Sequence, residues 1–309
     1  LTSYVNAQVV APLDIKALTS GGTDDGRNGN FLIAKAAYSL RSLGTRQATV
    51  AATGDTVARA DGKYVAQVRR SSDDALKSFT AAEVTDGTLL AFVGTGVSDN
   101  GFVKTWYDQS VSDQAGDTAT GNHATQGTPT SQPKIVHAGV MTVASVTFDG
   151  GDSLSVSGEP VITASSSGVY SAFSVQTIAT DEAGYLYGNA SASNGTSAYA
   201  LSSSKFTISN DFGTNLDNIA RSSGQNLLSA VYNNGDAGLL VNGAGTMTDA
   251  GTYDFSAGTS DFVIGNRNGG TSAGTFLTGS INEIIIYNDD QSDNRTAIEA
   301  NIGEVYSID

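Results

Sequence analysis

The chain has 309 residues, of which 15% are charged and 36 are glycine. Its formal charge of −15 repels phosphate backbones and anionic membranes, so we expect no nucleic-acid partner and no membrane insertion. The absence of cysteine excludes disulfides and cysteine-ligated metal, so stability must come from packing, with oligomerisation or bound calcium as open additions. Every apolar stretch is far shorter than the roughly 20 residues of a membrane helix, which predicts a soluble chain.

Residues 1–34 are predicted to form an extended arm that attaches to a neighbouring subunit, and residues 35–309 a single domain. Apolar positions between Phe31 and Leu43 recur at helical spacing, with Gly44 as a C-terminal stop, and predict a short helix. A second short helix is predicted over Ala81–Phe92. A third is predicted from about Asn294 to Ile302, preceded by a capping segment that starts at Asp290.

The remainder indicates short strands separated by turn residues, which predicts an all-β, antiparallel, jelly-roll-like β-sandwich with a few short helices. The predicted strands are Lys63–Arg70, Gly101–Tyr107, Val143–Phe148, Leu154–Val156, Phe173–Ile178, Tyr185–Tyr187, Leu227–Tyr232, Gly238–Val241, Phe262–Ile264 and Ile281–Tyr287.

The most informative segment runs from Phe102 to Gly127, where an aromatic strand leads into polar residues. Aromatic faces cover the apolar side of a sugar while amides and carboxylates bind its hydroxyls, so this segment supplies the glycan-binding candidates. For Trp106, core packing is favoured about two to one, because large aromatics prefer burial. For Asp108 and Gln109 we favour a role in fixing the loop, and for His123 packing beneath it. The candidates are Trp106, Tyr107, Asp108, Gln109, Asn122 and His123.

No metal ligand is assigned. The only histidines are His123 and His137, and the acidic pairs lack the spacing of a known calcium loop. Glycine is plentiful, but no glycine motif for phosphate is present, so no nucleotide cofactor is expected.

Three segments together resemble the catalytic domain of the α-L-arabinofuranosidase B family, which is a concanavalin A-like β-sandwich, and its relatives in phage tail and head appendages. The resemblance spans most of residues 35–309, and its middle segment is the most specific. In the family the two halves of that segment follow each other almost at once, whereas here Val111–Thr120 intervene. The segments are Ala37–Arg41 with Val68–Asp73, Thr105–Ser110 with Gly121–Gln126, and Gly274–Phe276 through Ala300–Ile302.

The resemblance places the family's acid/base aspartate at Gly265-Asn266-Arg267, where this chain has arginine instead. Arginine is no general acid near neutral pH, because its pKa stays above about 12. The family's nucleophilic glutamate follows a run that survives as Tyr187-Gly188-Asn189-Ala190, yet no glutamate or aspartate occurs from Ser191 to Ser209. Retaining glycosidases need two carboxyl groups, so we expect no catalytic residues and a chain that is not an enzyme.

The leading hypothesis is therefore a non-enzymatic bacteriophage structural protein, such as a fibre, appendage or capsid decoration on the virion surface. It would carry a lectin-like domain for a cell-surface glycan, attach to other virion proteins through the N-terminal arm, and form a homo-oligomer. One alternative is a glycoside hydrolase of the arabinofuranosidase type that pairs Asp108 with Glu182 or Asp211. Another is a secreted bacterial carbohydrate-binding or adhesion module.

Overall fold

The fold is known from a computed structural model. The predicted arm lies outside the described residues apart from Ala34, and the division of the chain at residue 34 stays a prediction. The described residues are 34–43, 64–110, 121–141, 145–158, 161–162, 169–178, 184–189, 197–201, 205–211, 214–221, 224–233, 236–249, 261–266 and 276–308.

The described residues form 19 strands, and all of their pairings are antiparallel. The strands of the first half are β1 (Ala36–Ser39), β2 (Tyr64–Arg70), β3 (Leu76–Thr80), β4 (Gly101–Trp106), β5 (Ala124–Thr125), β6 (Lys134–His137), β7 (Val140–Met141), β8 (Val146–Asp149) and β9 (Leu154–Val156). Those of the second half are β10 (Val169–Ile178), β11 (Gly184–Asn189), β12 (Ser197–Leu201), β13 (Lys205–Asp211), β14 (Thr214–Ala220), β15 (Gln225–Asn233), β16 (Asp236–Val241), β17 (Ala244–Asp249), β18 (Phe262–Ile264) and β19 (Thr278–Tyr287).

The strands build two layers. In the first, the order is β17-β16-β15-β10-β19, and β1 and β8 share the far edge of β19. In the second, the order is β3-β2-β4-β5-β9-β18-β11-β12-β13-β14. Strand β6 pairs with β4 of one layer and β8 of the other, so the network is continuous. The prediction of an all-β sandwich is confirmed.

The main core lies between the layers and is filled by side chains from both, because alternate residues of each strand point inward. A second, smaller core lies on the outer face of the first layer. There helix α3 (Arg295–Tyr306) buries Ile298 and Ile302, which lie about one turn apart on the same face of the helix. This outer packing closes the end of the chain onto β10 and β19.

Two helix predictions hold in outline. The stretch predicted over Ala81–Phe92 forms α1 (Ala81–Thr85) and α2 (Thr88–Val93), interrupted at Gly87, whose φ is +93°. The predicted capping segment before α3 does not cap it: the N-cap residue is Asn294 and makes no side-chain cap bond. Asp290 instead accepts the amide and hydroxyl of Ser292.

The helix predicted over Phe31–Leu43 is wrong where the structure describes it, because Ala36–Ser39 is strand β1. All four residues of β1 are buried, on both faces of the strand. A short apolar run buried on both faces cannot be told from a buried helix by periodicity, which is why the pattern misled. Within the described residues, no helix is long and apolar enough to cross a membrane.

Candidate functional site

Trp106 ends β4 with its side chain between the two layers and 0% exposed. Its ring centroid lies 5.8 Å from that of Tyr38 on β1. The next residue, Tyr107, is also buried; its phenol oxygen lies 2.9 Å from Ser78 Oγ and its ring meets His123 edge-on at 5.1 Å. Trp106 therefore packs the core and offers no face on which a sugar could stack.

Asp108 is fully buried, and its carboxylate accepts three backbone amides. Oδ1 accepts the Ala37 amide at 2.8 Å and the Ser110 amide at 2.9 Å, and Oδ2 accepts the Asn122 amide at 3.1 Å. The carboxylate thus joins three separate pieces of chain: strand β1, the end of the β4 segment, and the return of the chain after residue 120. This is the loop-fixing arrangement that the sequence favoured for an acidic residue after a strand.

Gln109 and Asn122 hold the same strand. Gln109 donates from Nε2 to the carbonyls of Ser39 at 2.9 Å and Arg41 at 3.0 Å, and its Oε1 accepts the Leu43 amide at 3.1 Å. Asn122 donates from Nδ2 to the Lys35 carbonyl at 2.7 Å. Strand β1 pairs with β19 along one edge only, and these side chains satisfy polar backbone groups on the other.

His123 completes the arrangement by accepting the Asp108 amide at its Nδ1 atom, at 3.0 Å. We refer to Asp108, Gln109, Asn122 and His123 as the β1 clamp. Asn122 and His123 are half-buried, and a glycan contact through them stays a prediction. The polar groups of Asp108 and Gln109 bind the chain's own backbone.

The hydrolase alternative paired Asp108 with Glu182 or Asp211. Asp108 is not placed to act on a substrate, because its oxygens are buried and accept three backbone amides. Glu182 and the Asp211 side chain lie outside the described part of the chain. Acid–base chemistry has to be sought elsewhere in the fold.

The sequence analysis missed a pair of carboxyl groups at the end of β8. Asp149 ends the strand and Asp152 follows two glycines later, in the turn that leads to β9. The Asp149 amide donates to Asp152 Oδ2 at 3.1 Å, and Lys134 Nζ on β6 lies 3.0 Å from Asp149 Oδ2. Asp152 is 3% exposed, whereas Asp149 is exposed. In the sequence, the feature that could have indicated this pair is two aspartates on either side of a Gly-Gly turn.

The surroundings drive the two pKa values apart. Burial, followed by the charge of Asp149, raises the pKa of Asp152 to about 7. For Asp149, partial burial acts to raise the pKa, but hydrogen bonds from Lys134 and Asp152 outweigh it and the pKa is lowered. At pH 7 the Asp152 carboxyl is therefore protonated in about half of the molecules, while Asp149 is ionised. Such a split marks a group suited to giving and taking protons.

The carboxyl pair lies against the end of β18. The Gly150 amide donates to the Leu277 carbonyl at 3.0 Å, and the Leu277 amide donates to the Gly265 carbonyl at 2.9 Å. Gly265 has φ +81°, and a Cβ atom there would lie 2.4 Å from the Phe148 ring, so only glycine fits. The Gly265-Asn266 turn, which in the resemblance directly precedes the acid/base position at Arg267, is thus in contact with the strand that carries Asp149.

The first three residues of the surviving Tyr187-Gly188-Asn189-Ala190 run end β11, directly beside β18, with Tyr187 opposite Ile264; Ala190 lies outside the described residues. Asn189 is buried and bonds the backbone of Ile162 in both directions, at 2.5 Å from Nδ2 and 3.3 Å to Oδ1. Within the described residues the run therefore fixes a neighbouring segment. The two landmarks of the resemblance occupy adjacent strands of the same layer.

No protein-family model and no curated protein matched the sequence. Among solved structures, a GH54 α-L-arabinofuranosidase soaked with a cyclic sulfate inhibitor matches with TM-score 0.59 and 14% identity, over 88% of this chain and 63% of that one. A mutant GH54 enzyme soaked with 4-nitrophenyl α-L-arabinofuranoside gives 0.61 and 14% over the same shares. An arabinofuranosidase complexed with arabinofuranosyl-α-1,2-xylobiose gives 0.59 and 13%, over 88% and 62%. The chain thus spans less than two thirds of each of these structures, and at this identity the likeness establishes the fold.

The expectation that the chain is not an enzyme is contradicted by these matches, because each of the three structures named above is an arabinofuranosidase. The arabinofuranosidase part of the resemblance is supported at the level of the β-sandwich. The part that concerns phage relatives, with the virion role and location built on it, stays a prediction.

Proposed function

We propose that this chain acts on glycans, as a glycoside hydrolase of the arabinofuranosidase type. The observation that carries the proposal is a protonatable carboxyl group, Asp152, beside the Gly265-Asn266 turn of a fold shared with arabinofuranosidases. Glycoside hydrolysis needs a carboxylic acid that holds its proton near neutral pH and gives it to the leaving oxygen. Asp152 has that property, and Arg267 does not.

In this mechanism Asp152 protonates the glycosidic oxygen as the bond breaks. Asp149, ionised and held by Lys134, stabilises the proton on Asp152 before the reaction. Afterwards the Asp152 carboxylate takes back a proton from the water that completes hydrolysis. Two hydrogen-bonded carboxyl groups are closer than the roughly 5–5.5 Å that separates nucleophile and acid in a retaining enzyme. The pair therefore provides the acid, and the nucleophile or base comes from another segment.

The test is turnover of a panel of chromogenic glycosides, with 4-nitrophenyl α-L-arabinofuranoside first, by the full chain and three variants. Asp152→Asn keeps an oxygen that can accept the Asp149 amide but cannot donate a catalytic proton, so we expect kcat to fall about 100-fold or more. Asp149→Asn removes the negative charge that raises the Asp152 pKa, so its activity optimum should move to lower pH. Asp73→Asn is the control, because Asp73 is an exposed partner of Arg70 remote in sequence from the pair.

Turnover by the unaltered chain that survives Asp152→Asn would move the acid to another residue. No turnover of any glycoside would contradict the hydrolase proposal. A glycan array run in parallel then decides whether the chain binds sugars without cleaving them. Either result keeps the structural findings on the β1 clamp, which do not depend on catalysis.

A further inference from the structure

His123 connects a titratable ring to the backbone that holds strand β1. Its Nδ1 atom accepts the Asp108 amide at 3.0 Å, so this nitrogen carries no proton and the hydrogen of the neutral ring is on Nε2. An imidazolium carries hydrogen on both nitrogens. Protonation would therefore turn the acceptor into a donor that faces another donor.

We propose that His123 is a pH-sensitive latch, whose protonation opens the β1 clamp and releases strand β1 from its unpaired edge. The Asp108 amide belongs to the same residue as the carboxylate that accepts the Ala37, Ser110 and Asn122 amides. If the Asp108 amide is repelled by His123, the Asp108 backbone moves, its carboxylate moves with it, and the bond to the Ala37 amide of β1 breaks. The proposal concerns the mechanics of the fold and stands whether or not the chain is a hydrolase.

Among the residues that the structure describes, the other titratable groups at the clamp do not provide this switch. The Tyr107 ring meets His123 edge-on, and the Tyr64 ring centroid lies 6.1 Å from that of Tyr107. Phenols do not titrate between pH 5 and 8. Tyr38 donates its phenol hydrogen to the Asn122 carbonyl, and its pKa is raised well above the usual value by burial and by the charge of Asp108. It stays neutral throughout the acidic range.

Asp108 is the group that opposes the latch, because a carboxylate attracts an imidazolium. Its oxygens already accept three backbone amides and are held in place on both sides, so it cannot turn toward the ring without abandoning β1. Binding the imidazolium and holding the strand are therefore alternatives. If the carboxylate turns to the ring, it abandons the Ala37 amide; if it keeps its three amides, the Asp108 amide still faces a donor on His123.

Strand β1 is attached along both edges. On one edge it pairs with β19 over four residues, and the Lys35 amide donates to the Ile286 carbonyl. On the clamp edge the Gln109 amide donates to the Ala37 carbonyl at 2.7 Å. Gln109 and Asn122 bind backbone carbonyls of Lys35, Ser39 and Arg41. These bonds form only while the clamp segments stay together. Loss of the His123 bond should therefore lower the hydrogen-exchange protection of residues 35–43.

The experiment uses the full chain, His123→Asn, and His137→Asn as the matched control. The asparagine oxygen occupies about the place of Nδ1 and accepts the Asp108 amide without titrating, whereas His137 is exposed at the end of β6. Hydrogen exchange of the peptide covering residues 34–43 is compared at pH 7.5 and pH 5.0, after correction for the intrinsic rate. We expect protection to fall about tenfold or more in the unaltered chain and in His137→Asn, and to stay nearly constant in His123→Asn.

Nitrogen chemical shifts of the His123 ring provide a second test that needs no variant, so the latch stays testable even if His123→Asn fails to fold. At pH 8 the shifts should show an unprotonated Nδ1 and a protonated Nε2. The reverse tautomer would overturn the proposal. So would unchanged protection in the unaltered chain at pH 5.0, or an equal fall in His123→Asn, which would transfer the effect to a carboxyl group.

Discussion

Replacing Asp108 by alanine should be among the most destabilising single changes in the described fold. The substitution removes both carboxylate oxygens and leaves the amides of Ala37, Ser110 and Asn122 without their acceptor. The site is 0% exposed, so water cannot replace the lost bonds without disrupting the packing. Each buried, unsatisfied donor costs about 1–3 kcal/mol, so we expect the free energy of unfolding to fall by about 3–6 kcal/mol, allowing for partial relaxation.

Urea unfolding followed by the fluorescence of Trp106, the single tryptophan, measures the change. Asp108→Asn keeps the oxygen equivalent to Oδ1, with its two amide bonds, and loses the third, so it should cost about 1–3 kcal/mol. Asp73→Ala removes an exposed ion pair and should change stability by less than about 1 kcal/mol. A loss below about 1 kcal/mol for Asp108→Ala would refute the clamp. Any test of glycan binding with this variant must therefore first establish that it is folded.

Three further outcomes are expected. The folded-state pKa of Asp152 is raised to about 7, above its unfolded value near 4. The contribution of Asp152 to stability is therefore complete below about pH 4 and is lost as the pH rises through about 7. The urea midpoint of the unaltered chain, relative to that of Asp152→Asn, should fall between pH 4 and pH 8. A flat difference would show that Asp152 titrates normally. Gly265→Ala should lower the free energy of unfolding by about 1–3 kcal/mol or more, because φ is +81° and the new methyl group would meet the Phe148 ring; an unchanged melting temperature would contradict that close approach. Glu283→Ala removes the buried carboxylate that the Arg41 guanidinium contacts at 2.6 Å. It should lower the free energy of unfolding, measured by chemical denaturation, by about 3–5 kcal/mol. A loss as small as that for an exposed ion pair would mean that water reaches the site.

The sequence predicted the strands best where residues alternate between core and solvent. Strands β2 and β4 are predicted to within a residue, because partly exposed Gln67 and Lys104 each lie between buried residues. Strand β1 was mistaken for a helix, because its residues are buried on both faces. Short runs of that kind carry no periodicity from which strand and helix can be separated.

The candidate residues around Trp106 were singled out by composition, and the sequence also favoured core packing and loop fixing for them. What the sequence could not show is the partner, because Asp108 binds Ala37, which lies 71 positions earlier in the chain. A strand with one free edge creates the need for such acceptors, and that edge exists only once β1 has paired with β19.

By itself, the sequence determined the class of fold. Alternation and turn residues are local properties, and together they allow few architectures other than an antiparallel β-sandwich. Only the tertiary structure decided which acidic residues are chemically unusual. Asp149 and Asp152 resemble any other aspartates in a turn until burial and Lys134 separate their pKa values. Desolvation and charge contacts arise between segments distant in the chain, so no pattern of neighbouring residues records them.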